Sequence, residues 1–164
     1  MILVTLGTHP APMDRLVRAI DALSADGVIE EPVIVQSAVY GYLPRHCRTA
    51  RVVPADVLSA WIDEASRVVC HGGPGSILEV LSRGKVPRVV PRNPAFGEHV
   101  DDHQQRFVRW FAERRPLIPV WDLGGLVEAL AVIDGPLLAS LPRQTSVVAE
   151  RLVEIVESSR PANR

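Results

Sequence analysis

Arg67-Val68-Val69-Cys70-His71-Gly72-Gly73-Pro74-Gly75-Ser76-Ile77-Leu78-Glu79 decides the fold, because an apolar run gives way to a glycine-rich turn and then to a helical pattern. The run Arg67 to Cys70 shows no polar alternation, the mark of a strand covered on both faces. Three glycines let backbone N–H groups approach a ligand closely. A helix starting near Ser76 would aim its positive end and unpaired N–H groups at whatever lies over them, phosphate being the commonest guest. A plain turn closed by a capping box is the other reading, since Ser76 and Glu79 have the S-x-x-E spacing. The loop alone leaves both open.

Outward from this stretch the same alternation repeats. Strand-like runs fall at Ile2 to Leu6, Pro32 to Gln36, Arg51 to Val53, Arg67 to Cys70, Pro87 to Val90 and Leu117 to Val120, short and rich in Val or Ile. Helical spacing follows Asp14 (Leu16, Ile20, Leu23) and Asp56 (Val57, Leu58, Trp61, Ile62). It recurs over Ser76 to Ser82, Asp101 to Glu113, Leu123 to Val132 and Arg143 to Ser158,. Alternation of this kind predicts an α/β fold: a single Rossmann-like domain with a mainly parallel sheet of about six strands and helices on both faces. The domain is expected over residues 1–158, with 159–164 a frayed tail.

Composition agrees. The 164 residues are 47% hydrophobic and 23% charged, with 11 Gly and 14 Pro, which excludes disorder and collagen,. A net charge of -1 gives no global field toward nucleic acid, so no nucleic-acid partner is expected,. Cys47 and Cys70 lack CxxC spacing and suit free thiols in a reducing cytoplasm,. The N-terminus lacks a basic segment before its apolar run and reads as a first strand rather than a signal peptide. The apolar stretch Pro116 to Pro142 is broken by Asp122, Glu128 and Asp134, so it cannot span a membrane,.

In such sheets ligands bind beyond the carboxyl ends of the strands, here the loops Gly7 to Met13, Gln36 to Arg48, His71 to Gly75 and Pro91 to Val100. Leu6-Gly7-Thr8-His9-Pro10 is a second glycine turn able to offer an N–H or hydroxyl to the same anion,. No Lys-Ser or Lys-Thr follows the glycines, and no G-x-G-x-x-G follows the first strand, so kinase and dehydrogenase readings lose their support,. Gly97-Glu98-His99-Val100-Asp101-Asp102-His103-Gln104 is dense in polar groups and leads into a helix whose Phe107, Trp110 and Phe111 are expected to be buried,.

His99 and His103 have the spacing of two metal ligands, with Asp101 and Asp102 nearby,. The H-E-x-x-H pattern would need Glu where Val100 stands, so no metal is expected,. A nucleophile reading of Cys70 or Ser76 with a histidine lacks the G-x-S-x-G elbow,. Trp61, Trp110 and Trp121 read as core anchors. Arg106, Arg109, Arg114 and Arg115 read as a solvated face,.

Together, Val4-Thr5-Leu6-Gly7-Thr8, His71 to Glu79 and Phe96 to Gln104 resemble, in order and spacing, the C-terminal domain of family 28 glycosyltransferases. The resemblance runs from Ile2 to about Val120 and implies the C-terminal half of a GT-B fold, the donor lobe for a nucleotide sugar. It implies that Gly7 and Thr8 face a diphosphate, that Gly72, Gly73, Gly75 and Ser76 cradle it, and that Glu79 accepts hydrogen bonds from the ribose. It further implies that His103 and Gln104 contact the donor sugar, with His99 in the same cleft, and that the backbone near Val52 and Val53 reads uracil. The first loop departs from the family, with His9, Pro10, Ala11, Pro12 and Met13 where a second Thr and a Phe are common.

A single lobe is similar to the cytosolic subunit of split transferases, the dolichol-linked N-acetylglucosaminyltransferase and its bacterial exopolysaccharide counterparts. The resemblance implies a UDP-sugar donor, a membrane-associated partner carrying the acceptor lobe, a cytoplasmic location at the inner face of the membrane, and neither metal nor other cofactor. No catalytic base is assigned, and self-association stays open. A non-catalytic nucleotide-sugar sensor and an epimerase relative are the alternatives.

Overall fold

The computed structural model describes residues 1–135. Six strands form one parallel sheet: β1 (Ile2–Thr5), β2 (Val33–Gln36), β3 (Arg48–Ala50), β4 (Arg67–His71), β5 (Pro87–Val90) and β6 (Ile118–Pro119), in the order β3-β2-β1-β4-β5-β6. The helices are α1 (Asp14–Ala25), α2 (Ala55–Glu64), α3 (Pro74–Ser82), α4 (His103–Ala112) and α5 (Leu126–Ala131). The expected Arg143 to Ser158 helix, the domain end at 158 and the 159–164 tail lie outside the described residues.

Pleating explains why the strands read as continuous apolar runs. In β1, Ile2 and Val4 pack with Leu16, Ile20 and Leu126 on the α1 and α5 face, while Leu3 packs with Ile62 and Val80 on the opposite face. In β4, Val69 joins the first cluster, and Val68 and Cys70 turn to the face covered by α2, α3 and α4,. Strand order reverses between β1 and β4, so the connections after these two strands lead to helices on opposite faces, α1 and α3, and leave a crevice at the strands' carboxyl ends,.

Several expectations are corrected. The third strand is Arg48–Ala50 rather than Arg51 to Val53. It is an edge strand, fixed by pairing with Ile34 to Gln36 and by Ser37 N–H donating to Ala50 O, and it needs no apolar run because much of it faces water. Helix α3 starts at Pro74 with Gly73 as its N-cap, since proline's fixed φ and missing N–H suit the first helical position,. Ser76 therefore lies inside the first turn, and the capping box with Glu79 does not form. Trp110 is 39% exposed under the guanidinium of Arg114, because α4 turns Val108 and Phe111 to the sheet instead, and Trp121, after β6, is 44% exposed under that of Arg109. Phe107 is only partly buried.

Candidate functional site

The loop after β1 turns at Gly7, whose φ of +71° is a left-handed conformation that favours glycine,. Its carbonyl accepts from Ala38 N–H at 3.2 Å and from Gln36 Nε2 at 3.5 Å; Gln36 in turn accepts from Thr5 Oγ1 at 2.8 Å. Across the crevice, β4 delivers His71. Its Nδ1 accepts from Gly73 N–H at 3.0 Å. A backbone N–H can only donate, so Nδ1 is unprotonated and the ring proton sits on Nε2, 3.0 Å from Ser76 Oγ,. His71 thus donates to Ser76, and the Ser76 O–H is left to donate outward. Burial, followed by the charge of Arg92, lowers the His71 pKa to about 4, which keeps the ring neutral near pH 7,.

The glycines have different duties. A Cβ at Gly7 would lie 2.7 Å from His71 Nε2, and one at Gly73 would lie 2.9 Å from His71 Nδ1, so both make room for that ring. A Cβ at Gly72 would meet Gln104 Cβ and the Pro91 backbone at 3.1 Å. Of the four glycines in these two loops, Gly75 alone has open space above it. Among the described residues, the backbone N–H groups of Gly7, Thr8, Gly72, Gly75 and Ser76 make no hydrogen bond, whereas that of Gly73 is spent on His71.

The N–H groups of Gly7, Thr8, Gly75 and Ser76 belong to residues that border a cavity of about 490 Å³, whereas Gly72 and Gly73 are buried behind it. Gly7, Thr8, Gly75 and Ser76 give it a polar floor with Thr5, Gln36 and His71; Val52, Val53 and Leu58 form an apolar wall; His9 and Gln104 close the remaining side. Gln104, 5% exposed, accepts from Arg92 N–H through Oε1 at 3.2 Å, which leaves its amide NH₂ as a donor. Glu79 is not part of this wall. Its Oε1 accepts from Ser59 Oγ and Arg83 Nε, both at 2.9 Å, and those two partners, Arg83 first, hold its carboxyl below the usual range. Both bonds fall on Oε1, so Oε2 has no partner among the described residues.

His99 and His103 lie beyond the cavity wall and reach it through His9. The His9 and His99 rings stack with centroids 4.6 Å apart, and His103 meets His99 edge-on at 4.4 Å. One ligand atom each from His99, Asp101 and His103 lies within 4.8 Å of the others, a set that could hold a metal ion. In this arrangement His99 Nδ1 accepts from Val100 N–H and Asp101 Oδ1 from His103 N–H, so these two atoms are engaged within the loop. Cys70 is fully buried and its thiol is pushed up to about 12, which removes it as a nucleophile,. Sequence reasoning missed Gln36, Leu58 and the positioning duty of His71. It also missed Arg92, two residues beyond β5, whose only signal is a charge close after a strand.

A model of the glycosyltransferase family 28 C-terminal domain matches residues 1–155. Among solved structures, the chain is similar to the glycotransferase of kitacinnamycin at 17% identity and TM-score 0.56, over 98% of this chain and 44% of that one. It is also similar to the glycosyltransferase SnogD from Streptomyces nogalater, at 21% identity and TM-score 0.40, over 94% of this chain and 41% of that one. The chain thus spans less than half the length of these structures. No match was found among curated proteins.

Proposed function

The chain belongs to the glycosyltransferase family 28 C-terminal domain, and on that premise we propose that the crevice between β1 and β4 binds the UDP-sugar donor of a split inverting hexosyltransferase. The observation that carries the reading is the convergence of unpaired N–H groups of Gly7, Thr8, Gly75 and Ser76, with the Ser76 hydroxyl, at one cavity. Donors fixed in this way are suited to a diphosphate and to the negative charge it gains as it leaves the anomeric carbon. Gly73 serves by orienting His71 rather than by touching phosphate. Glu79 Oε2 is the acceptor offered to the ribose diol, the apolar edge at Val52 and Val53 receives uracil, and Gln104, His103 and His99 face the sugar. Inversion proceeds by direct displacement, with the base that deprotonates the acceptor supplied from outside this domain.

In this reading a membrane-associated partner at the inner face of the membrane holds a lipid-linked or polysaccharide acceptor. Val52, on the loop after β3, and Phe96 and Val100, in the connection after β5, are exposed apolar residues that such a partner would bury. No helix among the described residues is long and apolar enough to cross a membrane.

Calorimetric titration of UDP, UDP-GlcNAc, UDP-glucose and ADP into the full chain tests the donor assignment. UDP compounds should bind, ADP should not, and Glu79→Ala should weaken UDP at least roughly tenfold through loss of a charged hydrogen-bond acceptor. Absence of UDP binding, or equal binding of ADP, would refute it. Co-purification with a membrane protein that confers transferase activity tests the partner.

A further inference from the structure

Arg92 follows β5 and is fully buried, yet no carboxylate bonds to it. Its guanidinium donates to Leu6 O at 2.8 Å, to Ala11 O at 2.6 Å and to Glu98 O at 3.1 Å, and its Nε finds no partner among the described residues. The nearby Glu98 carboxylate is 2% exposed and is taken by Arg15, at 2.8 and 3.1 Å, and by Asn93 N–H. Two guanidinium groups therefore face one carboxylate, and the buried network keeps a surplus positive charge.

Its placement gives that charge a use. A guanidinium bonded to a carbonyl polarises the whole peptide unit and strengthens the N–H at its other end. The Leu6 carbonyl belongs to the unit that carries Gly7 N–H, one of the unpaired donors at the cavity, and the Glu98 carbonyl to the unit that carries His99 N–H. The field of Arg92 reaches the crevice directly as well, since after burial its charge is the next cause holding both His71 and His9 below the ordinary imidazole value.

We propose that Arg92 is a positioning residue for a diphosphate: from beneath the crevice it clamps the loops after β1 and β5 and supplies, through the Leu6–Gly7 peptide and its own charge, the positive potential that selects an anion. The selection of a diphosphate does not depend on the uridine part, although its use in catalysis rests on the donor reading above.

The test uses the full chain, native and as Arg92→Met and Glu98→Gln, titrated with pyrophosphate, UDP and uridine, with circular dichroism to check folding. Arg92→Met should weaken pyrophosphate and UDP at least roughly tenfold while leaving uridine within about twofold. Glu98→Gln removes the opposing charge and should tighten pyrophosphate roughly threefold, a gain that mere structural damage would not produce. If Arg92→Met does not fold, the direction of the Glu98→Gln change decides. Unchanged or weaker pyrophosphate binding in Glu98→Gln, or a parallel loss of uridine and pyrophosphate in a folded Arg92→Met, would overturn the proposal. Native chain that binds pyrophosphate but not UDP would refute the donor reading and leave this one standing; native chain that binds neither would overturn both.

Discussion

Gly73→Ala isolates the packing that shapes the cleft. Gly73 has an ordinary φ of -76°, so alanine brings no backbone strain, and its whole effect is the new methyl against His71. That methyl would lie 2.9 Å from Nδ1, 3.1 Å from Nε2 and closer still to Cε1, well inside normal contact. The ring is held by its bonds to Gly73 N–H and Ser76 Oγ, both 3.0 Å, so it can withdraw only by giving them up. Two hydrogen bonds at about 1 kcal/mol each, with about 1 kcal/mol of residual strain, give a destabilisation of about 3 kcal/mol. Urea denaturation reads this as a lower midpoint at unchanged slope. With His71→Ala as background the obstacle is gone, and the same substitution should cost less than about 1 kcal/mol, a coupling of about 2 kcal/mol. Equal costs in the two backgrounds would refute the assignment of Gly73 to the His71 ring.

Because the folded His71 pKa is about 4 and the ordinary value is 6.5, the unfolded chain binds the extra proton between these values. Stability should therefore fall as pH drops from about 6.5 to about 4, by about 3 kcal/mol from this residue; His71→Gln should flatten the slope, and an unchanged slope would contradict the assignment. Asp134→Ala removes the carboxylate 2.6 Å from buried Arg88, and thermal melts should report a loss of about 3 kcal/mol; less than about 1 kcal/mol would mean the pair is not structural,. UDP affinity should be the same in EDTA and in magnesium, because the cleft offers N–H donors to a diphosphate without a bridging ion, and a change above about threefold would count against it. Trp121→Ala should cost no more than about 1 kcal/mol, since the ring is half exposed under Arg109; a core-sized loss would restore the anchor reading,.

The parallel sheet was legible because strands covered on both faces are mainly apolar, and Pro87 to Val90 was delimited without error although it carries the buried Arg88, which Asp134 pairs. The weakest strand assignment was the edge strand, where exposure permits Arg48-Thr49-Ala50 and the valines that suggested a strand serve the cleft wall instead. Candidate residues next to the glycine turns were likewise visible, since the conformations and close approaches available to glycine are local properties.

The sequence by itself determined the α/β class, the two glycine turns, and the presence of Gly7, Thr8, Gly75, Ser76 and Gln104 among the residues of interest. Only the tertiary structure decided which N–H groups are free, that Gly7 and Gly73 accommodate His71, that Glu79 stands apart with Ser59 and Arg83, and that Arg92 lies beneath the crevice. The physical reason is range. Periodicity and turn chemistry act over a few neighbouring residues, whereas the bond from Arg92 to Leu6 and the convergence of the β1 and β4 loops join positions far apart in the chain, and exist only once the sheet has set its strand order.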